Sequence, residues 1–282
     1  MPATSPPPPT AGKSIEDWAR HYVQTCDLHE KLVPPTLPEA FADGPAERLP
    51  APGRPPELVP APRRERLPRP EALIEKRFRA RILHTFFHHE LQAAELMCWA
   101  MLAFRDAELE FRKGLLRICL DEIRHMNLYK AHLESLGFGL GAFGVRDWFW
   151  KRVPSCTNKI SFVAVMGMGL EAANLEYAPD FAARFRAVGD EAGAQIQKLI
   201  AKEELAHVAF ATRWFKQWTG GCEFDVWFAH LPPPLSPAVL HGNPIAQQTR
   251  ARAGMTEKFI ADLMAYVPEP KGRPIPGSPE PL

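Results

Sequence analysis

A short pattern occurs twice in this chain, and its two copies set the height at which its helices have to meet. Glu122-Ile123-Arg124-His125 and Glu204-Leu205-Ala206-His207 both read Glu-x-x-His, and each follows a lone upstream glutamate at almost the same interval. Glu90 lies 32 residues before Glu122, and Glu171 lies 33 before Glu204. Residues three apart share one face of a helix, so each Glu and its following His can hold one cation together. One such pattern is weak evidence: with 23 Glu and 10 His in the chain, chance alone supplies about one match. Two copies, each in a helical stretch and each preceded by an apolar-faced helix carrying Glu, are far more specific. Four carboxylates and two imidazoles are the ligand set of a two-metal site inside a four-helix bundle.

Proline decides where long helices can form. More than half of the 30 prolines precede residue 71, and proline removes a backbone donor and clashes with the preceding turn. The front segment is therefore expected to be an irregular arm over 1–70, with 1–12 disordered and 27–70 extended and draped over the rest. Its one short helix runs from Ser14 to Cys26, with Ser14 as cap and Trp18, Tyr22 and Val23 on one side. From Glu71 to Gly220 proline nearly vanishes and apolar residues recur at helical spacing.

Four helices are predicted in that stretch. Helix 1 spans 71–104 with Leu83, Phe87, Glu90, Ala94, Met97 and Met101 inward, and helix 2 spans 109–136 with Leu115, Ile118, Glu122, His125 and Tyr129 inward. Helix 3 spans 160–187, kinked or split at Pro179, and helix 4 spans 190–218, stopping at Gly220-Gly221. A helical extension covers 221–267, with short helices near 223–230 and 255–266, and a disordered tail covers 268–282.

Register supports the pairing. Glu90 is about fourteen residues from the end of helix 1, roughly 21 Å, and Glu122 is about thirteen from the start of helix 2, roughly 20 Å. The two carboxylates return to one height, and Glu171 and Glu204 repeat the arithmetic. Helices 1 and 2 are joined by a short loop, as are 3 and 4, while Gly137 to Lys159 forms a long crossover. The expected fold is all-α: a ferritin-like four-helix bundle with its long connection between helices 2 and 3. Burying four carboxylates in one layer is costly unless cations balance them. Carboxylate with imidazole suits iron or manganese, iron being favoured here, without excluding zinc.

The two halves read as one duplicated hairpin, since Glu90-Leu-Gln-Ala-Ala-Glu95 aligns with Glu171-Ala-Ala-Asn-Leu-Glu176. Asp121-Glu122-Ile123-Arg124-His125 resembles the Asp-Glu-x-Arg-His signature of ferritin-like di-iron carboxylate proteins. From about Arg79 to Trp214 the chain is similar to an uncharacterised ferritin-like domain family of bacteria, through His88-His89-Glu90-Leu-Gln-Ala and Glu171-Ala-Ala-Asn-Leu. It is distantly similar to the tRNA hydroxylase that oxidises isopentenyl-modified adenosine. The resemblance implies metal ligands at Glu90, Glu122, His125, Glu171, Glu204 and His207, and implies that Asp121 and Arg124 orient the histidines or hold carboxylates. In the second copy Glu203 stands where the signature has Asp, and Ala206 where it has Arg. The support in that half is thereby left open, and two inequivalent metals are expected.

The remaining polar residues receive plainer readings. Glu95 and Glu176 fall about 140° around the helix from Glu90 and Glu171 and are expected outward or in a supporting role. His88 and His89 lie off the Glu90 face and are not expected as ligands, and His84 with His88, at helical spacing, reads as a polar stripe. Gly167, one turn before Glu171, either makes room beside the metals or lets helices pack closely. Tyr129 reads as core with a satisfied hydroxyl rather than an electron relay. The aromatic crossover, with Phe138, Phe143, Trp148, Phe149 and Trp150, is either a lid or ordinary cover.

Charge and cysteine content narrow the function classes. A net charge of +1 offers no global field for nucleic acid or an anionic membrane. The local basic stretch from Arg63 to Arg81 reads as a solvated helix start. Leu96 to Phe104, among the longest apolar runs, is about half of what a membrane span needs. Five scattered cysteines without a Cys-x-x-Cys pair suit reduced thiols, and no signal-peptide pattern opens the chain, so a cytoplasmic location is expected. The leading expectation is a non-haem di-metal oxidase or hydroxylase acting on an organic substrate with dioxygen or peroxide. It would take electrons from a separate donor, because the chain shows no ferredoxin or flavin domain. The alternatives are ferroxidase and iron storage, manganese-dependent peroxide dismutation, and a non-enzymatic bundle whose arm recruits a partner; the arm could also mediate a homodimer.

Overall fold

The computed structural model describes residues 12–61 and 68–268. The expected disorder over 1–12 and the tail after Pro268 fall almost entirely outside them, as do Arg63, Arg64 and Arg66. The described residues form helices and no strand; one isolated parallel bridge joins Pro60 to Val145. None of the described helices is long and apolar enough to cross a membrane.

Four long helical segments carry the core. Helix α3 (Lys76–Ala103) and helix α4 (Leu109–Ser135) form one antiparallel hairpin. The second hairpin is formed by α5 (Lys159–Val165), a wide π turn over Met166–Glu171, α6 (Ala172–Ala187) and α7 (Glu191–Thr219). Helix α7 stops where foreseen, at Gly220 with φ +80°, and Gly137 after α4 has φ +90°. Both glycines adopt the left-handed conformation that closes a helix at little steric cost.

Two details differ from the periodicity. Helix α3 begins at Lys76 because Pro70–Ile74 winds as a separate 3-10 turn. Of the kink or split expected at Pro179 there is no split: α6 runs through it, and a π turn lies upstream. There the Ala172 amide reaches back to the Gly167 carbonyl, five residues away. A Cβ on Gly167 would stand 2.1 Å from the Cβ of Ala211, so the glycine lets α7 come close. Such insertions are frequent at functional positions, and this one ends on Glu171.

The arm is more than a loose cover. Helix α1 (Ile15–Gln24) is capped as foreseen, with the Ser14 hydroxyl accepting from the Asp17 amide. Trp18, Tyr22 and Val23 share one core with α3. Every α3 residue from Glu90 to Ala103 is buried, because its back carries Leu91, Leu96, Trp99 and Leu102 and a helix apolar all round must be covered on all sides. A short helix α2 (Leu28–Leu32) follows. Beyond α7 come α8 (Phe224–Ala229), α9 (Gln247–Arg252) and α10 (Glu257–Ala265), of which α9, like α2, was not foreseen.

Two glutamates fasten these flanking segments, and here the reading of an outward position is corrected. Glu95 is fully buried and accepts from Lys31 Nζ at 2.8 Å, from Trp150 Nε1 at 2.8 Å and from Arg54. Glu176 is buried and binds Arg250 through both oxygens at 2.8 Å, while also accepting from the amides of Gly242 and Ala246 at 3.0 Å. Both point away from the Glu90–Glu171 layer, yet neither meets solvent, because the arm and the C-terminal extension supply cations at those positions. The crossover is likewise tied down. His84 accepts from the Gly141 amide at 3.1 Å, His88 pairs with Asp147 at 3.0 Å, and His89 stacks on Phe149. Burial keeps His84 and His89 down at about 4, hence neutral.

Removing one partner of a buried ion pair leaves the other uncompensated and costs about 3–5 kcal/mol. Glu95→Ala is expected to lower the unfolding free energy by that amount in urea titrations, and Glu95→Leu with Lys31→Met to recover much of it. A loss below about 1 kcal/mol, the range of exposed pairs, would contradict the clamp.

Candidate metal centre

Six side chains converge in one buried layer. Glu90 comes from α3, Glu122 and His125 from α4, Glu171 from the end of the π turn, and Glu204 and His207 from α7. All are buried, Glu122, His125 and Glu204 completely. They form two overlapping sets: Glu90, Glu122, His125 and Glu204, and Glu122, Glu171, Glu204 and His207, with ligand atoms within 4.8 Å of one another in each. Glu122 and Glu204 belong to both. Each set therefore offers one private carboxylate, one imidazole and two shared carboxylates.

The histidines present the same ring nitrogen to this layer. His125 Nδ1 lies 3.1 Å from Glu122 Oε2, and His207 Nδ1 lies 3.0 Å from Glu122 Oε1 and 3.4 Å from Glu204 Oε2. The outward nitrogens pair across the helices. His125 Nε2, on α4, meets Glu203 of α7 at 2.7 Å, while His207 Nε2, on α7, meets Asp121 of α4 at 3.3 Å. Arg124 joins the two supports, donating to Asp121 at 3.1 Å and Glu203 at 2.7 Å. The position left open in the second copy is thus filled. Glu203, one methylene longer than Asp, reaches the histidine of the opposite copy, and a single arginine serves both carboxylates where Ala206 has no side chain to help. Such partners fix ring orientation and raise basicity at the inward nitrogen.

Electrostatics shows how unbalanced the layer is. Burial, with Glu122, Glu204 and Glu171 nearby, raises Glu90 well above the usual carboxylate range, and burial with Glu204 and Glu122 does the same to Glu171. Burial opposes charge on both imidazoles, but the carboxylates win, holding His125 up at about 9 and His207 well above its usual value. Glu122 is pulled the other way, burial being outweighed by His125 and His207. Protons thus do part of the balancing, and imperfectly: among the described residues Glu122 Oε1, Glu171 Oε1, Glu204 Oε2 and His207 Nδ1 are buried without a well-formed hydrogen bond, and His207 Nδ1 meets the two glutamate oxygens only as an ion pair. Orphaned groups of this kind each cost about 1–3 kcal/mol, more for charged ones. Two divalent cations would neutralise four carboxylates, free both imidazoles of their extra proton and engage these four atoms, so the donor set fits such a pair.

The surroundings include features no motif announces. Asn174 Nδ2, three residues after Glu171, donates to Glu204 Oε1 at 3.3 Å. Tyr129 is buried, with its hydroxyl accepting from Gln197 at 3.0 Å, as the packing reading anticipated. It shares a cavity of about 20 Å³ with Glu90, Asn174 and Tyr177, enough for one water. On the opposite side, Gly167, Glu171, His207 and Phe210 border an apolar cavity of about 10 Å³. Gly167 therefore serves close packing and also adjoins the site. The Glu-x-x-His spacing could have pointed to Asn174 only through the duplication, whose counterpart position holds Ala93.

Among known proteins, the family described as "Protein of unknown function (DUF455)" matches residues 14–261. A protein of Haemophilus influenzae titled "Uncharacterized protein" is 28% identical over 144 residues, covering 48% of this chain and 50% of the relative. The chain thus spans about half the length of that curated relative. No solved structure matches significantly.

The sign of the pH response follows from these shifts. His125 binds its proton more tightly folded than unfolded, so its stabilisation is complete below the unfolded value near 6.5 and is lost as pH rises through about 9. Glu90 and Glu171, also raised, act in the same direction from 4.5 upward. The metal-free protein should lose stability between pH 6.5 and 9 by about 1.4 kcal/mol per pH unit for each retained proton. Addition of a divalent cation should release protons into weakly buffered solution. Thermal unfolding across that range, with a pH indicator during metal addition, checks both; a flat stability profile with no proton release would count against the assignment.

Proposed function

The chain belongs to the DUF455 family, and from that starting point we propose that it is a ferritin-like, non-haem di-metal oxidoreductase, an iron-dependent oxidase or hydroxylase of an organic substrate. One observation carries this: two donor sets, drawn from both helical hairpins, share Glu122 and Glu204 while each keeps its own carboxylate and imidazole. A structural site gains nothing from shared, incompletely satisfied carboxylates in a dry interior, whereas a redox site does, because shared carboxylates can adjust as metal charge changes.

Glu90, Glu122, His125 and Glu204 would hold one ion, and Glu122, Glu171, Glu204 and His207 the other. When bound, the pair would supply one- and two-electron chemistry toward dioxygen or peroxide. The chain's own contributions are positional. Asp121 and Glu203, joined by Arg124, hold the outward nitrogens of His207 and His125 and keep the inward ones aimed at the layer. Asn174 steadies Glu204. Burial by α1, the crossover and the C-terminal helices excludes bulk water. The apolar cavity beside Glu171 suits a small uncharged reactant, and the polar one beside Glu90 suits water or protons. The electron donor is a separate molecule and the setting cytoplasmic, where five free thiols persist.

Metal content decides the matter. Protein purified without added metal, or reconstituted anaerobically with iron(II) or manganese(II), should contain about two ions per chain. Glu204→Ala, which removes a donor from both sets, should lose both. Absence of binding in the wild type after reconstitution would overturn the ligand assignment.

A further inference from the structure

Helix α7 carries a second stripe, leading from the candidate metal centre to the surface. Phe210 follows His207 by three residues and borders the same apolar cavity as His207 and Glu171. Trp214 and Trp218 continue at intervals of four, with ring centroids 6.3 Å apart from Phe210 to Trp214 and 5.2 Å from Trp214 to Trp218. Phe111 of α4 packs on all three, at 5.6, 5.4 and 4.9 Å. Gly114 makes this possible, because a Cβ there would stand 2.0 Å from the Phe210 ring. From His207 to Trp214 is about 10 Å along the helix axis, and Trp218 lies about 6 Å further.

The two indoles differ in one respect that packing does not explain. Trp214 is buried and its Nε1–H has no acceptor among the described residues, a cost of about 1–3 kcal/mol that phenylalanine would avoid. Trp218 is half-buried and donates to Glu108 Oε1 at 2.9 Å. Glu108 is exposed, and its other oxygen accepts from Lys159, whose ammonium lies 4.7 Å over the Trp218 ring. The Arg213 guanidinium lies 5.2 Å over Trp214. Positive neighbours disfavour a radical cation on either ring, but only Trp218 has a base to take its proton.

We propose that Trp214 and Trp218 form a one-electron conduit between the buried metal pair and the surface, with Glu108 as proton acceptor at its outer end. The conduit rests on the di-metal reading. Trp214 gives one electron to the metal pair once dioxygen or peroxide has oxidised it, and becomes a radical cation that cannot shed its proton. Trp218 returns one electron to Trp214, and its indole proton crosses to the Glu108 carboxylate, leaving a neutral radical. A one-electron reductant, a small molecule or a docked redox protein, reduces that radical, and the proton returns from Glu108. The difference in proton acceptors gives the oxidising equivalent its outward direction.

The test is rapid freeze-quench electron paramagnetic resonance of full-length, iron(II)-loaded protein mixed with dioxygenated buffer, with iron content and oxygen uptake measured on the same samples. Wild type should give a tryptophan radical, narrowed by indole deuteration and removed by ascorbate. Trp214→Phe should lose it. Trp218→Phe should leave a radical on Trp214 that ascorbate removes more slowly. Glu108→Gln, an exposed and isosteric change whose iron uptake is checked on the same samples, should convert the neutral radical to the cation, visible as a longer-wavelength optical band. Iron uptake and oxygen consumption without a tryptophan radical, or with a radical unaffected by these substitutions, would overturn the conduit alone. Failure to take up iron would overturn the di-metal reading and the conduit with it.

Discussion

Four carboxylates and two imidazoles share one buried layer, and the mutual repulsion of those carboxylates is the constraint to which the surrounding architecture answers. In an interior of low dielectric such a group of charges is tolerated only with cations close by, whether protons or metals. The layer is held together from outside. Two hairpins meet through Glu122 and Glu204, which belong to both donor sets, and through Arg124, which ties Asp121 to Glu203 across α4 and α7. Pulling the hairpins apart would expose the charge to water but lose the common core, so packing and electrostatics oppose each other there. The π turn ending at Glu171 and the missing Cβ at Gly167 mark where the backbone departs from regularity in that region.

The same logic recurs one and a half turns beyond Glu90 and Glu171. Glu95 and Glu176 align when the two hairpins are read as one repeat, and each has recruited a different cation from a segment outside it: Lys31 and Arg54 from the arm, Arg250 from α9. The repeat read in the sequence places a carboxylate at both positions. It does not account for their partners, which belong to segments that have no counterpart in the other half. The arm and extension therefore complete the bundle, sealing faces of α3 and α6 that would otherwise present both apolar side chains and a buried acid to water. The layer is thereby well sealed, with two small cavities and the aromatic stripe on α7 beside it.

Much of this was legible in the residue order. The four long helices, their antiparallel pairing, the Ser14 cap, the stop at Gly220 and the convergence of Glu90, Glu122, His125, Glu171, Glu204 and His207 all rest on spacing within a helix or between helices joined by short loops. Such relations are local, and 3.6 residues per turn with 1.5 Å rise is enough to compute them. The π turn before Glu171, the short helices α2 and α9, and the burial of Glu95 and Glu176 escaped it. Each depends on what packs from elsewhere: α7 against Gly167, the arm against α3, Arg250 against α6.

The sequence by itself determined an all-helical chain with six donor side chains at one height, because helical periodicity and short loops leave those residues nowhere else to go. Tertiary structure alone decided that Glu122 and Glu204 are common to both donor sets, that each histidine takes its outer partner from the opposite copy, and that the second glutamate of each half anchors a flanking segment. These are relations between residues tens of positions apart, set by how two hairpins dock and by which distant cation arrives, and no periodicity along the chain encodes them.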